Sequence, residues 1–236
     1  EAVSTWARSH GLLTIVDNTL MTPYFQRPIE LGADIVVHSA TKYLGGHNDV
    51  LAGLIITKGE ELSQEMAILH NSIGAVLSPS DSYQLMRGMK TLALRMERHE
   101  SNALAIAKFL QTHPQVAEVF HPGLEDHPGY ATQRKQSSGN TGIFSFKVTD
   151  ARYVEPVLRN LNLIAFAESL GGVESLMTYP AVQTHADIPE EIRNAVGVDD
   201  RLLRFSVGIE HVEDLIADLS HALEAARQEV EGGQGV

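Results

Sequence analysis

The chain has 236 residues, with 18 Lys+Arg against 30 Asp+Glu and no cysteine, for a formal net charge of −12. That charge repels a nucleic-acid backbone, no long uncharged apolar run is present to span a membrane, and the lack of cysteine excludes a disulfide framework, a thiolate nucleophile and Cys-ligated zinc. At 43% hydrophobic and 20% charged residues, the composition is that of a globular protein with core enough for one large or two modest domains.

The N-terminal stretch Glu1 to Arg8 has neither the basic nor the apolar region of a signal peptide, so a cytoplasmic protein is expected. Leu12-Leu13-Thr14-Ile15-Val16 lacks polar alternation and reads as a strand buried on both faces, ended by Asp17-Asn18-Thr19. Ala33 to Val37 is a second such run, closing on His38-Ser39-Ala40-Thr41-Lys42, and Leu51 to Thr57 is a third. Short β-rich runs with helical or irregular connections predict an α/β domain with a mostly parallel sheet. From Ser80 to His113, Leu85, Met89, Leu92, Met96, Ala103, Ile106 and Leu110 recur at helical spacing and predict one long helix, a spine between two domains, stopped at His113-Pro114. Beyond it, Pro122-Gly123, Pro128-Gly129 and Gln133 to Asn140 read as loop and short helix. Gly142 to Val148 alternates like a strand with one wet face, Tyr153 to Asn160 reads as a helix, and Leu163 to Ala167 and Leu202 to Val207 as strands. Glu213 to Arg227 closes as an amphipathic helix. The expected division is part of a larger α/β domain over 1–112, a smaller α+β domain over 113–228 and a disordered tail over 229–236, with no internal repeat.

Two places carry chemistry. Asp17 lies at the carboxyl end of a strand, where α/β sheets collect ligands, although an Asp capping the following turn is the plainer reading of the residue by itself. Ser39-Ala40-Thr41-Lys42-Tyr43-Leu44-Gly45-Gly46 sets two hydroxyls, a lysine and a glycine pair just past the next strand. Hydroxyls and backbone N–H groups at such a turn suit a phosphate, and the lysine is either its counter-ion or a nucleophilic amine. The order of residues does not fit a P-loop. Taken together, a carboxylate on one strand end and Ser-x-Thr-Lys on the next supply the parts of a pyridoxal 5′-phosphate site: a partner for the ring nitrogen, an amine for C4′ and donors for the phosphate.

The segments Val16 to Thr19, Ser39 to His47, Leu85 to Leu92, Ala167 to Ser175 and Leu203 to Glu210 resemble the trans-sulfuration enzymes. These are the Cys/Met-metabolism group of fold-type I pyridoxal phosphate enzymes, which are aspartate aminotransferase-like, and the resemblance runs from Trp6 to about Ala226. It implies that Lys42 bonds the cofactor and shuttles protons, that Asp17 meets the ring nitrogen, and that Ser39 and Thr41 hold the phosphate. It further implies that Arg204 clamps the substrate α-carboxylate and that Ser169 fixes Lys42 and that carboxylate. Without the resemblance, an ion pair of Arg204 with Glu210 or Glu213 is the favoured reading. Glu168, just before Ser169, is similar to the γ-synthase and γ-lyase pattern, and Thr178 to Arg193 with Phe205 and Glu210-His211 resembles bacterial cystathionine γ-synthases that also act as O-acetylhomoserine thiol-lyases. The implied reaction is γ-replacement, in which Lys42 moves protons at Cα and Cβ, acyl leaves Cγ of an O-acylhomoserine, and the thiol of cysteine adds there to give cystathionine. A cystathionine γ- or β-lyase is the alternative, and an inactive or regulatory relative the non-enzyme alternative.

By the same resemblance, the chain begins inside the large domain. A longer or companion chain, in a homotetramer built as a dimer of dimers, is expected to supply the phosphate-binding arm and the ring-stacking tyrosine. The isolated 236 residues are expected to show little activity and poor stability. The small-molecule partners are amino acids, with no nucleic acid and no membrane. None of the eleven histidines forms a His-x-x-x-His pair, so no metal is expected; His38 reads as structural, His121 and His127 as residues of a solvated loop, and Met86, Met89 and Met96 as core.

Overall fold

The computed structural model describes residues 1–232. They divide into two compact units: Glu1–Met96 with Ala131–Asn140, and Glu97–Tyr130 with Thr141 onward. The break therefore falls between Met96 and Glu97 rather than after residue 112.

In the first unit, α1 (Ala2–Ser9), β1 (Ile15–Asp17), α2 (Thr22–Phe25), β2 (Ile35–Ser39), β3 (Gly53–Thr57), α3 (Glu60–Ile73) and α4 (Pro79–Met89) follow in chain order. The helix α5 (Leu92–Gln111) begins here, and α6 (Tyr130–Gln136) returns to this unit from residue 131. The three strands stand in the order β1-β2-β3, with β1 parallel to β2 and β3 antiparallel to it, so the small sheet is mixed rather than mostly parallel. Only the central strand is buried as its composition predicts: Ile35 and Val36 are buried, whereas Ile15 on the edge strand β1 is 62% exposed. The reading of β1 as buried on both faces thus fails in this chain, because an edge strand with no layer over it keeps its apolar side chains in solvent. Sequence patterning also missed α3, none of whose residues is buried.

The predicted continuous helix over Ser80 to His113 is two helices. Its start is set by Ser78, whose hydroxyl accepts the Asp81 N–H at 3.0 Å, with Pro79 in the first turn. It stops at Met89 because the Gly88 carbonyl is claimed by other donors: the Thr91 N–H at 3.2 Å, the Thr91 hydroxyl at 3.1 Å and Arg95 Nη2 at 2.8 Å. The chain then turns once and re-enters a helix at Leu92.

The second unit holds β4 (Val116–Phe120), β5 (Ile143–Val148), a 3₁₀ turn at Ala151–Tyr153, α7 (Val154–Asn160), β6 (Ala165–Phe166), β7 (Leu176–Thr178), α8 (Glu190–Ala195), β8 (Leu202–Ser206) and α9 (Val212–Gly232). Its sheet runs β4-β5-β8-β7-β6, antiparallel except for the β6–β7 pair. Ile106 and Leu110 of α5, Phe144 and Phe146 of β5, Leu203 and Phe205 of β8, Val157 of α7 and Leu215, Leu219 and Leu223 of α9 form one continuous core. The strand β5 has no wet face: it is interior to the sheet, and even Lys147 is buried, its ammonium held by Asp199 at 2.9 Å. The helix α9 continues through Gly232, so residues 229–232 are helical and not tail; 233–236 lie outside the described residues.

Candidate active site

The strands β1 and β2 are parallel neighbours with Asp17 in register with Val37, so both end on the same side of the sheet. This brings Asp17 and the turn that begins at Ser39 to one edge. The Asp17 carboxylate accepts the Thr19 N–H at 2.9 Å, which is the turn-capping role, and Thr19 returns a bond across the strands by accepting the Ser39 N–H on its hydroxyl at 2.8 Å. Capping engages only one oxygen of an exposed carboxylate, so Asp17 keeps acceptor capacity for a cationic group. Beside it, His38 is buried; burial pushes its imidazole below the ordinary range, and the Asp17 charge works in the opposite direction. The His38 Nδ1 is buried without a hydrogen-bond partner among the described residues.

The Ser39–Gly46 turn is closed by its own backbone. The N–H groups of Lys42, Gly45 and Gly46 donate to the carbonyls of Ser39, Ala40 and Lys42 at 3.1, 2.8 and 2.8 Å, and the Thr41 N–H donates to Ala52 at 3.1 Å. These amides are therefore spent inside the protein rather than left open as phosphate donors, unlike the expectation for backbone N–H groups at this turn. The Thr41 hydroxyl is likewise engaged, accepting the Ala52 N–H at 3.0 Å and donating to the Ala52 carbonyl at 3.3 Å. It reaches a phosphate only by giving up the longer of those bonds. Lys42 itself is half-buried.

In the second unit, Arg204 of β8 stands in register opposite Thr178 of β7. Its Nη2 donates to the Ser169 carbonyl at 3.1 Å and to the Thr178 hydroxyl at 3.0 Å, and that hydroxyl in turn donates to the Ala167 carbonyl at 2.9 Å. Ser169 holds a positive φ of 87°, uncommon for a residue other than glycine. Burial works against the guanidinium's charge, and the Glu168 carboxylate, acting through space, supports it. Glu168 is exposed. The surface ion pair does not form: Glu210 is taken by the Ser175 N–H at 2.6 Å and the Ser175 hydroxyl at 2.9 Å, and Arg204 has no salt bridge among the described residues. Its buried Nε has no partner there either. A guanidinium with an unpaired edge, anchored through one nitrogen, is prepared for a carboxylate ligand. Thr178 was missed by the sequence reading; it lies at the end of a three-residue strand too short to show alternation.

Asp17, Ser39, Thr41 and Lys42 thus gather in one unit, and Glu168, Ser169 and Arg204 in the other. Among the described residues no group of three His, Asp or Glu side chains is placed to hold a metal ion. The first set has the composition that pyridoxal phosphate requires: a carboxylate with spare acceptor capacity, an amine, and the Ser39 hydroxyl at the end of the same strand pair. The residues fit the cofactor.

A profile of the Cys/Met metabolism PLP-dependent enzymes matches residues 1–224. The chain belongs to this family. Among relatives of this Cys/Met metabolism chain, a cystathionine β-lyase of Lactococcus lactis subsp. cremoris (strain MG1363) is 55% identical over 222 residues, covering 94% of this chain and 58% of the relative. A cystathionine γ-synthase/O-acetylhomoserine (thiol)-lyase of Bacillus subtilis (strain 168) is 56% identical over 223 residues, covering 94% of this chain and 56% of the relative. The crystal structure of a cystathionine γ-lyase from Lactobacillus plantarum, complexed with L-serine, superposes with a TM-score of 0.93 at 43% identity, over 96% of this chain and 59% of that one. The chain therefore spans somewhat over half the length of these relatives. Its fold is that of the fold-type I pyridoxal phosphate enzymes, and the cofactor of its family is pyridoxal phosphate.

Proposed function

We propose that the protein carrying this chain is a trans-sulfuration enzyme that performs γ-replacement on an O-acylhomoserine with cysteine, releasing the carboxylic acid and giving cystathionine, with O-acetylhomoserine thiol-lyase activity as a side reaction. The observation that carries it is Arg204, whose buried Nε has no partner, within electrostatic reach of the exposed Glu168 carboxylate but not bonded to it. Such a pair recognises the two ends of amino acids: the guanidinium the α-carboxylate of the acylhomoserine, Glu168 the ammonium of the incoming cysteine.

Bound at the Asp17–Lys42 edge, pyridoxal phosphate supplies an electron sink for bonds broken at the substrate's Cα. The rest falls to the chain. Asp17 would pair with the ring nitrogen and keep it protonated. Ser39, joined by Thr41, directs a hydroxyl to the phosphate. Lys42 would hold the cofactor and, released from it by the substrate amine, would take the proton from Cα and pass it on before taking one from Cβ as the carboxylate leaves Cγ, then return protons to Cβ and Cα once the thiol has added at Cγ. Arg204 would fix the substrate α-carboxylate, with Ser169, whose carbonyl holds Nη2, setting the guanidinium's position. A homo-oligomer, or a chain segment beyond these residues, completes the site.

Cleavage of cystathionine by a lyase is the second reading, favoured by the identity to the Lactococcus β-lyase, which is close to that of the Bacillus synthase. The test incubates the full-length enzyme either with O-acetylhomoserine plus cysteine or with cystathionine alone. Cystathionine and acetate formed faster than ammonia and keto acid are released supports the synthase; the reverse order overturns it in favour of the lyase. Replacement of Glu168 by Ala is expected to raise KM for cysteine while leaving cofactor binding intact, and equal damage to both would remove its assigned role.

A further inference from the structure

We propose that Arg95 is a positioning residue for Lys42: its guanidinium fixes the backbone of the lysine's turn against the C-terminal end of α4. This rests on the reading of Lys42 as the residue that bonds the cofactor.

Arg95 is 3% exposed. Its Nη1 donates to the carbonyl of Tyr43, the residue after Lys42, at 2.7 Å. Its Nη2 donates to the Gly88 carbonyl at 2.8 Å, and its Nε to the Thr91 hydroxyl at 3.1 Å. One planar group thus joins the turn, the last turn of α4 and the bend before α5. No carboxylate lies within ion-pair distance of it among the described residues.

The glycines of the junction are cut to this group. A Cβ on Gly46, where φ is +74°, would lie 2.1 Å from Arg95 Nη1, and a Cβ on Gly88 would lie 2.2 Å from the Gly45 carbonyl oxygen. Gly46, whose amide is spent inside the turn, therefore lets the guanidinium approach the turn, and Gly88 lets the α4 backbone come up to the Gly45 carbonyl.

Packing by itself does not call for a cation here. A buried charge held only by neutral acceptors carries a desolvation cost, and an apolar side chain of similar volume fills the space without it. What the guanidinium adds is direction. Its fork has fixed angles, so the Tyr43 carbonyl is held in one place relative to two points on the α4–α5 junction. Placement of a reacting group to a fraction of an ångström is what such a restraint provides, since a misplacement of about 1 Å costs on the order of a hundredfold in reactivity.

The test uses the full-length holoenzyme as wild type, Arg95→Met, Arg95→Lys and Leu223→Ala, the last a core truncation in the other unit. For each, one measures Tm, the total pyridoxal phosphate retained, and the fraction of it that borohydride traps on Lys42, mapped by peptide mass. Arg95→Met is expected to lower the trapped fraction on the order of tenfold, beyond any fall in retained cofactor. Arg95→Lys should recover part of it, and Leu223→Ala should lower Tm while leaving the fraction unchanged. A wild-type trapped fraction in Arg95→Met overturns the proposal, as does a loss that follows Tm equally in Leu223→Ala. Should Arg95→Met not fold, the same two comparisons are made on Arg95→Lys. A wild-type enzyme that retains the cofactor but is not trapped at Lys42 overturns the reading of Lys42, and this proposal with it.

Discussion

His121 is a titratable ring fully buried inside the second unit, with Nδ1 accepting the Gly123 N–H at 2.9 Å. Burial first, and the neighbouring His127 second, lower its pKa from 6.5 to about 4. As pH falls from 6.5 towards 4 the unfolded chain takes up this proton and the folded chain does not, so stability present above pH 6.5 is lost through that window, by about 3 kcal/mol in full. His121→Asn keeps an acceptor for the Gly123 N–H without a titrating ring. Its urea-unfolding free energy should fall between pH 7 and pH 4.5 by about 2 kcal/mol less than that of the wild type, and an equal fall would dismiss His121 as a source of acid sensitivity. The residue was legible in the sequence only as part of a His-Pro-Gly loop taken to be solvated, because nothing local tells a covered loop from an open one. The candidate site divides in the same way. Asp17 and Lys42 stood out because strand ends followed by charged and hydroxyl residues form a local pattern. Arg95 and Thr178 did not, since their partners lie in other elements: Tyr43 for the former, Ala167 and Arg204 for the latter.

At the scale of elements, the entry into β6 depends on a carboxylate from a distant helix. Asp218, buried on α9, accepts the N–H groups of Asn162, Leu163 and Ile164 at 2.8, 3.0 and 3.0 Å. Three donors converging on one carboxylate tie the chain after α7 to α9 and satisfy amides that no strand partner reaches. Asp218→Ala leaves those N–H groups unsatisfied and should cost about 3 kcal/mol of unfolding free energy, whereas Asp218→Asn, which keeps acceptor oxygen, should cost about half of that. A loss under about 1 kcal/mol for the alanine variant would show that water replaces the carboxylate. Elements with an inward apolar face were legible as elements: β2, β5, β8 and α9 lie where their patterns place them, although β5 lacks the wet face its alternation predicted, and α5 is the second part of the longer predicted helix. Elements whose apolar residues stay exposed, such as α3, were not, because without a buried face their periodicity carries no stripe. The break between α4 and α5 was invisible for another reason, being imposed by Arg95 and Thr91 on the Gly88 carbonyl rather than by a local breaker.

Across the whole molecule, apolar burial is uneven. The second unit encloses a continuous core in which Phe146, Phe205, Met177, Leu215, Leu219 and Leu223 are fully buried. In the first unit the buried cluster of Ala40, Leu44 and Leu85 is small by comparison. Its Ile15, Leu51, Ile55, Ile68 and Ile73 are each more than 60% exposed. At roughly 25 cal/mol for each Å² of apolar surface withdrawn from water, a unit that leaves several large aliphatic side chains in solvent forgoes several kcal/mol that its neighbour has. Local opening should follow that difference, because the free energy of exposing an amide scales with the apolar contacts that must be broken. Native-state hydrogen exchange on the 236-residue chain, at low concentration, is therefore expected to protect the amides of β5 and β8 on the order of a hundredfold more than those of β3 and α3. Both β3 and α3 are regular and hydrogen-bonded, so equal protection would mean that backbone pairing rather than apolar burial sets stability in this chain. Addition of pyridoxal phosphate separates the two causes further. A ligand held at the ends of β1 and β2 stabilises the unit that binds it by mass action, so protection should rise in β1, β2 and β3 while β5 and β8 stay unchanged.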